Sequence, residues 1–342
     1  MVTFEEALRQ TENQVRSLLL GNGFSIAASR NFCYHSLRER TVFPEDSYFD
    51  ALFDYYTTND FEKILMALKY AHDVNCIARP KENDQNFEAA GYRLSECFVT
   101  TLQNIHPRNL NSVTSEICLT REQFECNRNF LQNFANDDIQ GCIFTLNYDL
   151  MLYWSILQGN LRRLLRDSFS DLGKYNNHFT PRKQCRNYIN CTNVFYLHGA
   201  LHLRTDMYNE TYKIINNDNI LNTLFDDLDN GIFPTIVFEG TTEEKKQKIY
   251  NNKYLTIAYE TLENIYGNLF TYGFSFSQND QHIIDAIINS RLSRLYVGLY
   301  GDEHSMENIH IHAICAGIYE RRRLLGKPIH IEYYRTDLVS PW

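Results

Sequence analysis

The chain has no Cys-x-x-Cys pair, and that absence excludes the usual zinc modules. Its nine cysteines, at 33, 76, 97, 118, 126, 142, 185, 191 and 315, are odd in number and scattered, so they read as reduced, mostly buried thiols and not as a disulfide framework. The closest pair, Cys185 and Cys191, has no matching pair downstream, and no metal is expected. No stretch approaches the roughly 20 apolar residues of a membrane span, and the start, Met1-Val2-Thr3-Phe4-Glu5-Glu6, is acidic where a secretory signal is basic. There is no excess of positive charge: the formal net charge is −9, which argues against a dedicated nucleic-acid surface but leaves room for an anionic small molecule held by backbone amides. These absences predict a cytoplasmic protein that touches neither membrane nor nucleic acid. With 342 residues, 23 Tyr and 22 Phe, the chain can bury a large core without a metal or disulfide staple.

What is present is organised around Leu18-Leu19-Leu20-Gly21-Asn22-Gly23-Phe24-Ser25. An apolar run breaks into a small-residue turn and leads into Ile26-Ala27-Ala28-Ser29, the pattern of a strand, a tight turn and a helix start. Two glycines one residue apart let the backbone turn sharply and approach a ligand closely. The first amides of the following helix are then expected as unpaired donors that suit a phosphate. The third glycine of the dinucleotide fingerprint is missing, so the turn alone is also compatible with plain punctuation.

Residues 4 to 17 suggest a short amphipathic helix leading into that strand. Arg30, Arg38 and Arg40, beyond the turn, read as solvated charge. From Pro44 to about Ala135 the period becomes helical: Phe61, Ile64, Leu65 and Leu68, then Leu94, Cys97, Phe98, Thr101 and Ile105, then Phe130, Leu131 and Phe134, with a polar connection at 79–86. Residues 44–135 are therefore expected to be an inserted helical subdomain, and 1–43 with 136–342 a Rossmann-like α/β core around a mostly parallel sheet. Strand pattern returns at 141–146 and ends in Asn147-Tyr148-Asp149 before an apolar helix. Val194-Phe195-Tyr196-Leu197 is a further strand, delivering His198-Gly199. In open α/β sheets ligands bind beyond the carboxyl ends of strands, which puts Asn147, Asp149 and His198 on the functional rim; Asp149 is equally suited to capping the helix that follows. Residues 233–238 read as another strand and 243–246 as a basic helix start. Asn279 or Asp280 is placed to cap a helix through Ile283 and Ile287. A strand at 295–299, a helix striped by Ile311, Ile314, Cys315 and Ile318, and a strand at 329–333 finish the sheet.

Gly21-Asn22-Gly23-Phe24-Ser25, Thr145-Leu146-Asn147-Tyr148-Asp149 and Leu197-His198-Gly199, in that order, resemble the three signature motifs of the sirtuin superfamily: Gly-Ala-Gly-x-Ser, Thr-Gln-Asn-Ile-Asp and a His-Gly bearing the catalytic histidine. Tyr272-Gly273-Phe274-Ser275 resembles a fourth, the Gly-Thr-Ser that borders the adenosine side of NAD. Leu146 departs from the family's Gln, and the cysteines of its zinc ribbon are missing. That pattern, with Asp280 and His282 close behind Gly273-Phe274-Ser275-Phe276, looks like the SIR2-like NAD hydrolases of prokaryotic anti-phage defence.

The resemblance implies that NAD is a substrate. Gly21, Asn22, Gly23 and Ser25 would hold its pyrophosphate and nearby ribose, and Gly273 and Ser275 would border the adenosine. Asn147 would orient the nicotinamide ribose and the attacking water, Asp149 would favour developing positive charge, and His198, with an ordinary pKa near 6.5, would serve as base. The implied reaction is cleavage of the nicotinamide–ribose bond to nicotinamide and ADP-ribose; two alternative readings are NAD-dependent deacylation or ADP-ribosyl transfer, and a non-catalytic module that senses NAD or ADP-ribose and acts on a partner. Since uncontrolled hydrolysis is toxic, a homo-oligomer or a co-encoded regulatory protein is expected to restrain it.

Overall fold

Leu18, Leu19 and Leu20 are wholly buried, as an unbroken apolar run must be when a strand is covered on both faces. In the computed structural model, which describes residues 1–78, 86–107, 119–135, 141–169, 178–180, 192–214, 220–238 and 240–342, they belong to β1 (Arg16–Leu20), the middle of a seven-stranded sheet. Beside it lie β2 (Cys142–Thr145) and β7 (Tyr266–Tyr272). Outward from β2 come β4 (Thr192–Tyr196) and the short β3 (Leu165–Arg166). Outward from β7 come β8 (Arg291–Leu299) and β9 (His330–Arg335). The order is β3-β4-β2-β1-β7-β8-β9 and every pairing is parallel. With helices flanking it, this is a Rossmann-like α/β architecture. Among the described residues no helix is long and apolar enough to cross a membrane.

The three helical stripes at 61–68, 94–105 and 130–134 correspond to α5 (Phe61–Ala78), α6 (Phe87–Ile105) and α7 (Arg121–Gln132). α5 buries Phe61, Ile64, Leu65 and Leu68, the four residues whose spacing announced it. α7 lies against the sheet layer, where Phe130 meets Phe4 at 5.8 Å and Tyr272 at 5.4 Å between ring centroids. The first helix is shorter than expected. α1 (Phe4–Gln10) starts at a capping box between Thr3 and Glu6, and the chain has turned through Asn13, at φ 57°, before β1 begins at Arg16. Residues 233–238 do not form a strand: they run alongside the segment after β4, joined to it by the bridge Gly199–Ile236 and by the bonds from Ala200 N to Thr235 O and from Val237 N to His198 O. The polar stretch after residue 202 contains the hairpin β5 (Leu203–Thr205) and β6 (Thr211–Lys213) and then α9 (Ile220–Asp229). Cys185, Cys191 and most of the 79–86 connection lie outside the described residues.

Two consecutive βαβ units, β7–α12–β8 and β8–α13–β9, complete the sheet through α12 (Gln281–Asn289) and α13 (Met306–Leu324). The last turn of α13 holds three arginines, and one of them, Arg322, points inward. Its guanidinium donates to the carbonyls of Ile287, Ile288, Ser290, Leu292 and Lys327 at 2.7–3.1 Å, closing the C-terminal end of α12.

Candidate functional site

Register brings the sequence motifs to one edge. Leu20 lies opposite Thr145 and Tyr272, and Thr145 lies opposite Tyr196. The ladders run one residue further: Leu146 N donates to Leu20 O, Leu197 N to Thr145 O, and Gly21 N to Tyr272 O, at 2.9–3.0 Å. The Gly turn, Asn147, His198 and Gly273 therefore leave the sheet from four adjacent strands at a common level. With strands about 4.8 Å apart, the exits of β4 and β1 are about 10 Å from each other.

The Gly turn is built differently from the phosphate cradle expected. The amides of Gly21 and Gly23 are used by the protein itself, donating to Tyr272 O and Gly273 O at 3.0 and 3.1 Å, and that of Phe24 donates to Gly21 O. The glycines are needed because the backbones of two turns touch. A Cβ on Gly21 would stand 2.4 Å from Gly273 O, and one on Gly23 would stand 2.5 Å from Gly273 Cα. Gly273 itself has φ +65°, a conformation that L side chains disfavour. Asn22 sends its side-chain amide to Phe32 O at 3.1 Å. From behind, Trp342 donates its indole N–H to Phe24 O at 2.8 Å and sets its ring 5.0 Å from that of Phe24.

Ser25, on α2 (Gly23–Ala28), joins the Gly turn to the second motif. Its hydroxyl donates to Asp149 Oδ2 at 2.6 Å and accepts from Asn147 Nδ2 at 2.9 Å, all three side chains being buried. The other oxygen of Asp149 accepts the Met151 amide at 2.8 Å at the start of α8 (Met151–Gln158). The capping and rim roles of Asp149 thus coincide in one side chain, and both its oxygens are engaged. Burial raises its pKa to about 6.

His198 sits at the end of β4, 2% exposed. Gly199 follows at φ +75°, where a Cβ would stand 1.8 Å from Thr235 O, so only glycine lets residues 235–237 pass this close. Val237 N donates to His198 O at 2.8 Å. The pKa near 6.5 expected of this histidine does not hold: burial, with His282 and Lys245 nearby, drives it well below. The imidazole is thus neutral at physiological pH, the form a base requires.

The segment after β7 begins with Gly273 against Gly23 and ends with His282 against His198, Nε2 to Nε2 at 2.7 Å. In doing so it spans from the exit of β1 to that of β4, across β2. Phe274 and Phe276 anchor it, buried with ring centroids 4.4 Å apart, and Phe276 holds φ +53°. That left-handed value is strained for a bulky residue. Ser275, between them, is exposed. Asp280 occupies the N-cap position of α12 without capping it; its Oδ1 lies 4.0 Å from His198 Nε2. His198, His282 and Asp280 offer donor atoms within 4.8 Å of one another. The two nitrogens are nevertheless at hydrogen-bond separation, closer than the roughly 3.3 Å that two ligands keep on a tetrahedral ion.

Sequence reasoning missed the charged wall of this site. Tyr148 lies over His198 with ring centroids 6.3 Å apart, and its hydroxyl reaches Glu62 Oε1 at 3.0 Å and Val237 O at 3.1 Å. Glu62 Oε2 accepts from Lys245 Nζ at 2.8 Å, and Lys245 is 1% exposed. Burial raises Glu62 to about 7 and Asp280 to about 6, against the opposing pull of Lys245 in both cases. Glu62 stands in the first turn of α5 and Lys245 in α10 (Thr242–Tyr250). Both read as solvated helix charges in a linear sequence, and only the fold brings them together.

The chain belongs to the family described as Domain of unknown function (DUF4917), whose pattern matches residues 18–342 and so takes in every rim residue named above. No curated protein matches it.

Proposed function

We propose that this DUF4917 member is an NAD hydrolase with a sirtuin-like core, cleaving the nicotinamide–ribose bond to nicotinamide and ADP-ribose. The supporting observation is the hydrogen-bonded chain Asn147–Ser25–Asp149, which ties the Gly turn to the Asn-x-Asp motif beside a neutral, buried His198. Nicotinamide departs neutral from a cationic ring, so its departure chiefly needs stabilisation of an oxocarbenium-like state and a placed water. In this reading the dinucleotide lies along the exits of β7, β1, β2 and β4. Asn147 orients the ribose and the water, and His198 takes the proton.

The two glycines contribute by shaping the floor, since their own amides are occupied. Ser275, exposed on the strap after β7, is the group on the adenosine side that is open to a ligand. Toxic depletion of NAD in anti-phage defence, restrained by assembly or by a co-encoded partner, is the biological role that goes with this chemistry.

The test is chromatographic assay of nicotinamide and ADP-ribose after incubation of the purified chain with NAD, over a range of protein concentrations. Products from the wild type, lost in Asn147→Ala and His198→Ala, are expected. Tight binding of NAD or ADP-ribose with no product would reassign the chain as a sensing module, and dependence of nicotinamide release on an acyl-lysine peptide would make it a deacylase.

A further inference from the structure

His198 and His282 meet through like atoms, Nε2 to Nε2 at 2.7 Å. One nitrogen must carry the proton and the other a lone pair, because two N–H groups or two lone pairs would repel at that distance. Asp280 Oδ1, 4.0 Å from His198 Nε2, decides between the two arrangements. A carboxylate facing that nitrogen favours an N–H dipole over a lone pair. His198 then donates from Nε2, His282 accepts, and the lone pair of His198 is left on Nδ1.

His282 is held to receive that bond. It is fully buried, its carbonyl accepts the Tyr259 hydroxyl at 2.9 Å, and the Tyr259 ring lies over its own at 6.3 Å between centroids. The arrangement has a cost: His282 Nδ1 must then carry the second proton, and it has no partner among the described residues. A fold that tolerates a buried orphan at this point has a use for the contact.

We propose that His282, backed by Asp280, is the positioning partner of His198, fixing the tautomer whose Nδ1 lone pair serves as base. This rests on the hydrolase reading for its chemistry and not for its geometry. In the step, the C–N bond to nicotinamide breaks and its electron pair leaves on the nicotinamide nitrogen. The water oxygen forms the new C–O bond, and the water proton goes to His198 Nδ1. The imidazolium so formed already donates Nε2–H to His282 and faces Asp280. His282 thus does for His198 what an acidic partner does in other base-bearing sites.

The experiment is long-range 1H–15N correlation on the full chain labelled at histidine, with the His198 signals assigned by their loss in His198→Gln. Alongside it, nicotinamide release is measured for His282→Leu and His282→Gln. The expected result is His198 protonated at Nε2 and bare at Nδ1 in the wild type. This state should persist in His282→Gln, whose amide oxygen can accept the same bond, and give way to mixed tautomers in His282→Leu. Nicotinamide release should fall about tenfold or more in His282→Leu, with KM for NAD little changed, and recover in His282→Gln.

Wild-type His198 bare at Nε2 would overturn the proposal, as would wild-type turnover by His282→Leu. Cobalt(II) titration that develops d–d absorption dependent on His282 would overturn it too, by assigning the trio to a metal. If the wild type releases no nicotinamide, the hydrolase reading fails and the tautomer spectra still decide the pairing.

Discussion

Two clusters of polar side chains share the rim of the sheet, and they are built on opposite principles. Around Ser25, the bonds from Asn147 and to Asp149 close on themselves and on the Met151 amide. Around His198, the carboxyls of Glu62 and Asp280 and two stacked imidazoles surround one buried ammonium, that of Lys245. One ring nitrogen there, His282 Nδ1, has no partner among the described residues. A self-satisfied network fixes geometry. A crowded, unevenly charged one holds groups whose protons can move, and this is where perturbed titration accompanies chemistry. On the proposed hydrolase reading, the first cluster holds Asn147 in place and the second takes up the proton.

The largest expected separation between them is in rate. Loss of the imidazole in His198→Ala should lower nicotinamide release by about a thousandfold in a chain that still folds. Gly23→Ala should act in the opposite way, through the fold. Its Cβ would meet Gly273 backbone at 2.5 Å, and denaturant melts should show a loss of about 3 kcal/mol. Next comes the titration of the charged wall. Because Glu62 rises from 4.5 to about 7, the folded protein keeps a proton that the unfolded chain has released across that interval. Its contribution to stability is thus full below pH 4.5 and is lost as pH rises toward 7. Relative to Glu62→Gln, the wild type should lose up to about 3 kcal/mol over that window in pH-dependent urea melts. The smallest effect is expected at Ser25→Ala, which strands Asn147 Nδ2 and Asp149 Oδ2. About 2 kcal/mol of stability should go, with a smaller fall in rate than at His198.

The framework cluster was legible in the sequence because each of its members ends a strand or opens a helix, and periodicity marks those points. Leu18 to Leu20, the run at 141–146 and the run at 194–197 declared three strands of a mostly parallel sheet, so Asn147, Asp149 and His198 fell on one rim. The charged wall was not legible. Nothing local distinguishes Glu62 from the other acids of the helical region, or Lys245 from its neighbour Lys246. Their pairing is a consequence of α5 and α10 meeting beside Tyr148, a contact between residues 62 and 245. The same holds for the glycines: a Gly-x-Gly turn reads as a ligand cradle, and only the presence of Gly273 opposite reveals that it admits another piece of backbone. The helix pattern at 4–17 overran for a related reason, since the amphipathic signal continues past Gln10 while the chain must turn to enter β1 at Arg16.

The claim on which the rest depends is that the rim between Asn147 and His198 breaks the bond between nicotinamide and ribose. It is tested most directly by following NAD with concentrated protein by one-dimensional proton NMR in real time, wild type against His198→Ala. Free nicotinamide signals growing at the expense of NAD in the wild type alone are predicted. An unchanged NAD spectrum with folded wild-type protein at every concentration, or equal growth of nicotinamide in the variant, would contradict it.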